Sequence, residues 1–150
     1  MAVILDSRSD TGIQIAGKKI WVECKRVTIL DKIKRNVRDA STQLETVFNK
    51  EVGSGHRGIV AIDISKVLNL ENKIFVATDD DELLASVNRM MDEFIVQYSG
   101  IWQDIYKRRD GKVIGTIFRF TFMSSLVARN IPVYTSQWAM NPRLGIAASD

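Results

Sequence analysis

A helical pattern between two strand-like segments constrains the fold of this chain more than any other feature. Over residues 30–51, apolar side chains recur every three or four positions, which places them on one face of an α-helix. The segment follows "IWVECKRV" and precedes, after "GSGHRG", the almost wholly apolar "GIVAIDI". A helix between two such strands is typical of a crossover that joins parallel strands. The composition of the second strand further predicts that it is covered on both faces. The apolar stripe of the helix consists of Ile33, Val37, Ala40, Leu44, Val47 and Phe48.

The flanking segments extend this unit to a mixed sheet. "AVIL", "TGIQIA" and "IWVECKRV" follow one another closely, and the turn "GKK" joins the last two, so we expect an antiparallel meander at the start. Later, "VIGTIFRFTFM" alternates, with Phe118, Phe120 and Phe122 on one face, and "PVYTSQW" predicts a last strand. With 150 residues, of which 45% are apolar, the chain is long enough for one domain with a core. The prediction is a single α/β domain, residues 1–150, around a mixed β-sheet flanked by helices.

A long amphipathic helix is predicted in the second half of the chain. Thr78 or Asp79 caps it, and the acids that follow favour the positive end of the helix dipole. Its apolar period begins at Leu83 and ends at Tyr106, with Gly100 as the expected point of a break or bend. This stripe is expected to be core, and its spacing near 3.5 residues also allows a homodimer through the long helix.

The third predicted strand carries an acid and a base inside an apolar run. Strand alternation puts Glu23 and Lys25 on one face, about 6–7 Å apart at Cα, and Cys24 on the other face, where it is expected to be core. Glu23 and Lys25 can form a simple ion pair, or they can belong to a site. Asp10, just before "TGIQIA", is expected to come close to Glu23 across the hairpin, and Asp6 is the competing first acid. Two adjacent carboxylates repel unless a cation lies between them. Mg²⁺ binds through such carboxylates together with substrate phosphate, so the pattern predicts a Mg²⁺ site.

Asp10, twelve intervening residues and "ECK" resemble the PD-(D/E)XK motif of the restriction-endonuclease-like nucleases. The resemblance covers roughly residues 10–64, including the basic helix with Gln43 in "ASTQLE" and the strand "RGIVAID". Ser9 stands where the motif has proline. The resemblance implies a restriction-endonuclease-like core and a metal-dependent endonuclease that hydrolyses phosphodiester bonds in DNA. It also implies a helix before the first strand; since the sequence starts at "MAVIL", we expect that helix to be absent, replaced or supplied by another chain.

The resemblance also implies a role for each matching residue. Asp10, Glu23 and the backbone carbonyl of Cys24 hold Mg²⁺, for which Mn²⁺ is a substitute. Lys25 orients or helps to deprotonate the attacking water and stabilises charge in the transition state. Gln43 positions the water or the lysine.

Basic residues are concentrated directly after the acid-lysine strand. Residues 25–38 hold six bases against the single acid Asp31, whereas the whole chain has 21 bases and 18 acids. A solvated helix face would account for this cluster. If the chain is a nuclease, four of these bases would hold the DNA backbone without reading its sequence: Arg26, Lys32, Arg35 and Arg38.

Two further functional classes stay open. The first is a non-catalytic nuclease-like module that binds nucleic acid or assembles a larger complex; the second is a structural homodimer in which Glu23 and Lys25 form only an ion pair. One cysteine and one histidine exclude an internal disulfide and a cysteine-rich zinc site. No apolar run approaches the roughly 20 residues of a membrane span, and no signal-peptide core is present, so we expect a cytoplasmic, intracellular protein without a membrane partner. The sequence does not distinguish DNA from RNA.

Overall fold

The computed structural model contains one mixed sheet. It describes residues 2–6, 9–50, 55–108 and 111–142, and at residues 2–6, 9, 10 and 108 it describes the backbone alone. The described strands are β1 Ala2–Asp6, β2 Ser9–Ile15, β3 Lys18–Arg26, β4 Arg57–Asp63, β5 Ile74–Ala77, β6 Val113–Leu126 and β7 Val133–Asn141. The described helices are α1 Ile33–Lys50, which follows a 3₁₀ turn at Leu30–Lys32, α2 Ser65–Leu68, α3 Asp80–Gln97 and α4 Ser99–Arg108.

The strand pairing confirms the predicted meander, the crossover and the α/β class. β1, β2 and β3 are successive antiparallel neighbours, and the turn between β2 and β3 uses positive φ angles at Ala16 (49°) and Gly17 (77°). β3 and β4 are parallel and are joined through α1. β6 pairs in parallel with β4 along its first half and with β5 along its second half, while β7 runs antiparallel on its other side. The short elements β5 and α2 were not predicted, because neither is long enough to show a period.

Helix α1 packs directly on the backbone of the sheet. Every residue of its predicted apolar stripe is buried. The α-helix begins at Ile33, three residues later than expected, since residues 30–32 form a 3₁₀ turn; it continues as expected to Lys50, and Glu51 lies outside the described residues. At Gly58 on β4, an added Cβ would lie 2.7 Å from Phe48 Cζ and 2.9 Å from Leu44 Cδ1. The helix therefore approaches β4 as closely as a glycine allows, which sets the position of the residues next to Leu44 relative to β3.

The start of α3 follows the predicted capping. The Asp79 carboxylate accepts a hydrogen bond from the Glu82 backbone N–H at 2.9 Å, and the Glu82 carboxylate accepts one from the Thr78 N–H at 2.7 Å. These two bonds satisfy N–H groups that a helix start otherwise leaves unpaired. No helix among the described residues is long and apolar enough to cross a membrane.

The predicted break of the long helix at Gly100 is wrong by two residues. The chain leaves helical geometry at Tyr98, and Gly100 lies inside α4. Across this break the Trp102 indole N–H donates to the Ile95 carbonyl at 2.9 Å. The Trp102 ring packs edge-on against Phe118 of β6, with centroids 4.9 Å apart. A large aromatic side chain thus packs on the sheet directly after the break. Most of the stripe is buried or partly buried as expected, whereas Leu84 is exposed.

The described helices cover only one face of the sheet, so among the residues that the structure describes β4 is not covered on both faces as expected. Val60 and Ile62 of β4 are buried, whereas the alternate residues Ile59 and Ala61 remain partly exposed. β6 alternates in the same way, with its three predicted phenylalanines on the buried side. No described helix buries the alternate residues, and we call this side the open face. Its central members are Ile20, Val22, Cys24, Ile59, Ala61, Asp63, Ile117, Arg119, Thr121, Tyr134, Ser136, Trp138 and Met140.

The close approach of α1 to β4 yields the first prediction. Gly58→Ala should lower the free energy of unfolding by about 1–3 kcal/mol, because the methyl group overlaps two buried side chains. Gly100→Ala is the matched control: nothing lies within 4 Å of its added Cβ, and in a helix alanine is favoured over glycine by up to about 1 kcal/mol. Urea denaturation of both variants measures the two effects. Equal changes in both would contradict the packing of α1 described above.

Candidate active site at the end of strand β3

Glu23 is a buried carboxylate under helix α1. Its residue is 4% exposed, and it shares its face of β3 with the fully buried Trp21. Cys24, between Glu23 and Lys25, is exposed on the open face, so the expectation that it belongs to the core is wrong. The reason is that α1 covers the polar side of this strand end. A carboxylate buried in this way is costly unless a partner compensates for it.

Lys25 connects Glu23 to helix α1. Its ammonium Nζ lies 3.1 Å from Glu23 Oε1 and also donates a hydrogen bond to Gln43 Oε1. The Lys25 side chain is 24% exposed, so the pair lies at the rim of the core and not deep within it. Gln43 directly precedes Leu44, which packs over Gly58, and this contact holds Gln43 beside the strand. Three of the four predicted catalytic residues thus form one hydrogen-bonded cluster.

The fourth predicted residue, Asp10, lies on the strand next to Glu23. Thr11 of β2 pairs with Val22 of β3, and one further step in this antiparallel register brings position 10 opposite position 23. Directly opposed residues of antiparallel strands share a face. Asp6, the competing acid, lies on β1, which is separated from β3 by β2. The backbone register therefore favours Asp10 over Asp6.

The cluster has a net negative charge, which a divalent cation requires, only when Asp10 is included. Glu23 and Lys25 together are neutral, and a second carboxylate at position 10 would make the cluster negative by one charge. Among the residues with described side chains, no group of three or more His, Cys, Asp or Glu residues lies close enough to hold a metal ion. A Mg²⁺ site here would consist of two carboxylates, a backbone carbonyl and water or phosphate, a ligand set that Mg²⁺ accepts.

The predicted DNA-binding residues are exposed but do not all face the cluster. Arg26 extends from the end of β3 with a side chain 68% exposed. Lys32 lies in the turn before α1, and Arg35 lies about 80° around the helix from Gln43. Arg38 lies about 140° around the helix, on a different side from the cluster. Arg35 therefore lies nearer than Arg38 to the side of the helix that carries Gln43, whereas Arg26 extends toward the open face, where it pairs with Asp63.

Asp63, at the end of β4, is a second acid at this edge that was not predicted. Its carboxylate accepts hydrogen bonds from the Ser65 N–H (3.0 Å), the Ser65 hydroxyl (2.5 Å) and Arg26 Nε (3.2 Å). The Ser65 oxygen in turn accepts the Thr121 N–H at 2.8 Å. Partial burial raises the pKa of Asp63, but the Ser65 and Arg26 interactions outweigh it, so that the pKa lies below its usual value. The Asp-x-Ser spacing at a strand end is the local signal from which this turn could have been found.

A cavity between α1 and the α3–α4 region lies away from the cluster. It measures about 560 Å³, is lined by Lys34 of α1 and by residues of the α3–α4 region, and includes none of the cluster residues. The candidate site is therefore assigned by the chemistry of its side chains and not by cavity volume.

Comparison with known proteins finds no matching family model, no matching curated protein and no matching solved structure.

The hydrogen bonds to Asp63 yield a pH-dependent prediction. Because its folded-state pKa lies below the unfolded value of 3.8, the carboxylate stabilises the fold above pH 3.8, and this contribution is lost as the pH falls through the lower folded-state pKa. Asp63→Asn should therefore lower the free energy of unfolding by about 1–2 kcal/mol near neutral pH, and the difference from wild type should shrink in acid.

Urea denaturation at a series of pH values from about 6 to about 3 measures this difference. The control is Asp39→Asn, which removes an exposed i,i+4 pair with Arg35 at 3.8 Å and should change stability by less than about 0.5 kcal/mol. A difference between Asp63→Asn and wild type that is independent of pH would contradict the prediction.

Proposed function

We propose that this chain is a metal-dependent nuclease of the PD-(D/E)XK type that hydrolyses phosphodiester bonds in DNA, with a restriction-endonuclease-like core. The observation that carries the proposal is the cluster in which Lys25 bridges Glu23 and Gln43, on the strand next to Asp10. An ammonium group held between a buried carboxylate and a helix amide has little reason to be there for stability alone. A hydrophobic residue of similar size at the same strand position would bury its surface without the desolvation cost.

The proposed metal ligands are Asp10, Glu23 and the backbone carbonyl of Cys24. Mg²⁺, or Mn²⁺ in its place, would supply a Lewis acid for the phosphate and lower the pKa of a bound water. Lys25 donates to Oε1 of Glu23, so Oε2 of that carboxylate is the oxygen proposed to bind the metal.

Lys25 is proposed to act on the attacking water and on the charge that develops at phosphorus. An ammonium group has three N–H donors, and two of them go to Glu23 and Gln43 within the described part of the chain. The third is available to a water molecule or a phosphate oxygen. Gln43 keeps the ammonium at one position, so that this donor need not be reoriented during the reaction.

A non-catalytic nuclease-like module is the second candidate, and one observation favours it. The Glu23–Lys25 pair is already electrically neutral, so the cluster is stable without any cation. Such a module would bind nucleic acid or assemble a larger complex without cleaving DNA. A homodimer through the long helix remains a further alternative. Most of the apolar stripe of this helix lies in the core, but Leu84 (38% exposed) and Val96 (71% exposed) are among the apolar side chains that a second copy could contact.

Cleavage assays on four variants test the proposed chemistry. Asp10→Ala and Glu23→Gln should abolish Mg²⁺-dependent cleavage of DNA, since each removes a proposed ligand. Lys25→Ala should reduce cleavage by about 10² to 10⁴-fold, the usual contribution of a group that assists proton transfer. Lys50→Ala, at the exposed end of α1, is the control and should cleave as wild type does.

The contact between Lys25 and buried Glu23 requires a stability measurement alongside each cleavage rate. Lys25→Ala leaves a buried carboxylate without its partner, so the melting temperature should fall; adding Glu23→Gln to the same chain should restore it. Cleavage must stay absent in this rescued double variant if the residues are catalytic. A wild type that cleaves neither DNA nor RNA with Mg²⁺ or Mn²⁺ would reject the nuclease and leave the binding module.

Salt dependence of DNA binding tests the proposed backbone contacts. Replacing Lys32 and Arg35 together by alanine should reduce the slope of log affinity against log salt by up to about 2, because each lost phosphate contact releases about 0.9 counterions fewer. The matched control replaces the exposed bases Arg89 and Lys107 on α3 and α4. A filter-binding titration in Ca²⁺ measures both slopes, and equal slopes would place the DNA on another surface.

A further inference from the structure

The open face carries a row of exposed aromatic side chains along strand β7. Trp138 is 57% exposed and Tyr134 is 75% exposed, and both lie on this face, four residues apart. Their Cα atoms are therefore separated by about 13 Å along the strand. A contiguous exposed apolar patch with a polar border, in contrast to single exposed side chains, commonly marks a binding surface.

Arg119 contacts one of these two aromatic side chains, Trp138. In the sheet it lies directly opposite Trp138, its guanidinium carbon lies 5.6 Å from the centre of the indole ring, and it donates to Ser136 Oγ at 3.4 Å. The cation–π contact restrains the indole in a defined orientation. The Trp138 ring is thus an ordered surface with a positive charge beside it.

Two adjoining cavities join the aromatic residues into one groove. The first measures about 240 Å³ and is bordered by Trp138, Arg119 and Arg26; the second measures about 290 Å³ and is bordered by Arg26 and Tyr134. Arg26 is common to both, so the groove runs from Trp138 past Arg26 to Tyr134. We call it the β7 groove.

The β7 groove has a positive balance of charge. Five bases border it, of which Lys66 and Lys73 lie at the Tyr134 end and Lys25, Arg26 and Arg119 at the Trp138 end. Three of them are paired: Lys25 with Glu23, Arg26 with Asp63, and Lys73 with Glu71 at 2.6 Å. Five positive and three negative charges leave a balance of two positive charges on a surface with two exposed aromatic rings.

We propose that the β7 groove binds single-stranded nucleic acid, with bases stacked on Trp138 and Tyr134 and phosphates held by the surrounding bases of the protein. Aromatic rings interleaved with cations are the features that bind single strands without sequence preference. In a duplex the faces of the bases are stacked on one another, so they could not stack on Trp138 and Tyr134. A second copy of this chain would bring two positive grooves together. At about 3.4 Å per nucleotide in a stacked strand, the distance between the two rings corresponds to several nucleotides.

This inference goes beyond the proposed nuclease and does not require it. The groove lies on the open face, whereas Glu23 and Gln43 lie on the side covered by α1; Lys25, between them, also borders the groove. Binding can therefore be measured in EDTA, where a metal-dependent cleavage reaction cannot proceed. Failure of one proposal leaves the other intact.

Intrinsic fluorescence offers a direct readout. Of the three tryptophans, Trp21 and Trp102 are fully buried, and Trp138 alone among them is exposed. A base stacked on Trp138 should quench its emission, while the buried pair provides a constant background. The probes are an oligothymidylate, an abasic oligonucleotide of the same length and a duplex of the same length, each titrated in EDTA.

We expect the oligothymidylate to quench emission and to bind more tightly than the abasic strand or the duplex. Because stacking on one aromatic ring is worth about 1–3 kcal/mol, Trp138→Ala should weaken binding by about 5- to 150-fold, measured by fluorescence anisotropy of a labelled strand. Trp138→Phe should retain most of the affinity. Ile131→Ala, which changes another exposed apolar residue in the turn before β7, is the control and should bind as wild type does.

Three results would overturn the proposal. The first is that Trp138→Ala binds the oligothymidylate as tightly as wild type does. The second is that wild type binds the oligothymidylate and the abasic strand with equal affinity, which would mean that the groove binds any polyanion through charge alone. The third is a concentration-dependent dimer in sedimentation that Trp138→Ala dissociates, which would assign the open face to a second copy of this chain.

Discussion

The contact of helix α1 with the backbone of β4 at Gly58 sets the arrangement on which the rest of this structure depends. Leu44 and Phe48 lie so close to that glycine that no side chain fits between them and the strand. The same contact brings Gln43 to Lys25 and covers Glu23, two strand positions away from Trp21. A polar cluster at the end of β3 is thus held by an apolar contact on the neighbouring strand. Apolar packing has little directional preference, and here it is the hydrogen bonds of Lys25 that give the cluster its geometry.

One-sided coverage of the sheet divides the molecule into two surfaces of different chemistry. The covered side holds the core and, at its rim, the buried carboxylate with its lysine and glutamine. The open face holds half-buried aliphatic residues in its middle and exposed aromatic and basic residues along β7. Lys25, near the end of β3, touches both regions, because it bonds to Glu23 and Gln43 and also borders the β7 groove, and Arg26 follows it along the strand. In a chain that combines both proposed functions, a bound strand would cross this edge of the sheet on its way to the cluster.

The sequence predicted the elements with long, regular periods well. The stripe of α1 spans more than four turns, so six apolar residues at helical spacing left little ambiguity, and all six are buried. The three phenylalanines of β6 were equally clear. By contrast, β5 and α2 have four residues each, too few to distinguish a period of 2 from one of 3.6. The break at Tyr98 instead of Gly100 arose from the Trp102 side chain, whose packing on Phe118 local sequence does not reveal.

Sequence alone determined which residues share a face of β3 and which strands the first crossover joins, because both follow from the period of the chain. It did not determine which face of β3 the helix would cover. Hydrophobicity favoured the side with Ile20, Val22 and Cys24, yet α1 covers the side with Trp21 and Glu23. The handedness of the crossover and the closeness of α1 to Gly58 decide this, and both are properties of the assembled sheet. For the same reason the β7 groove appears only in three dimensions: Arg119, Arg26 and Trp138 are distant in sequence and become neighbours through strand pairing alone.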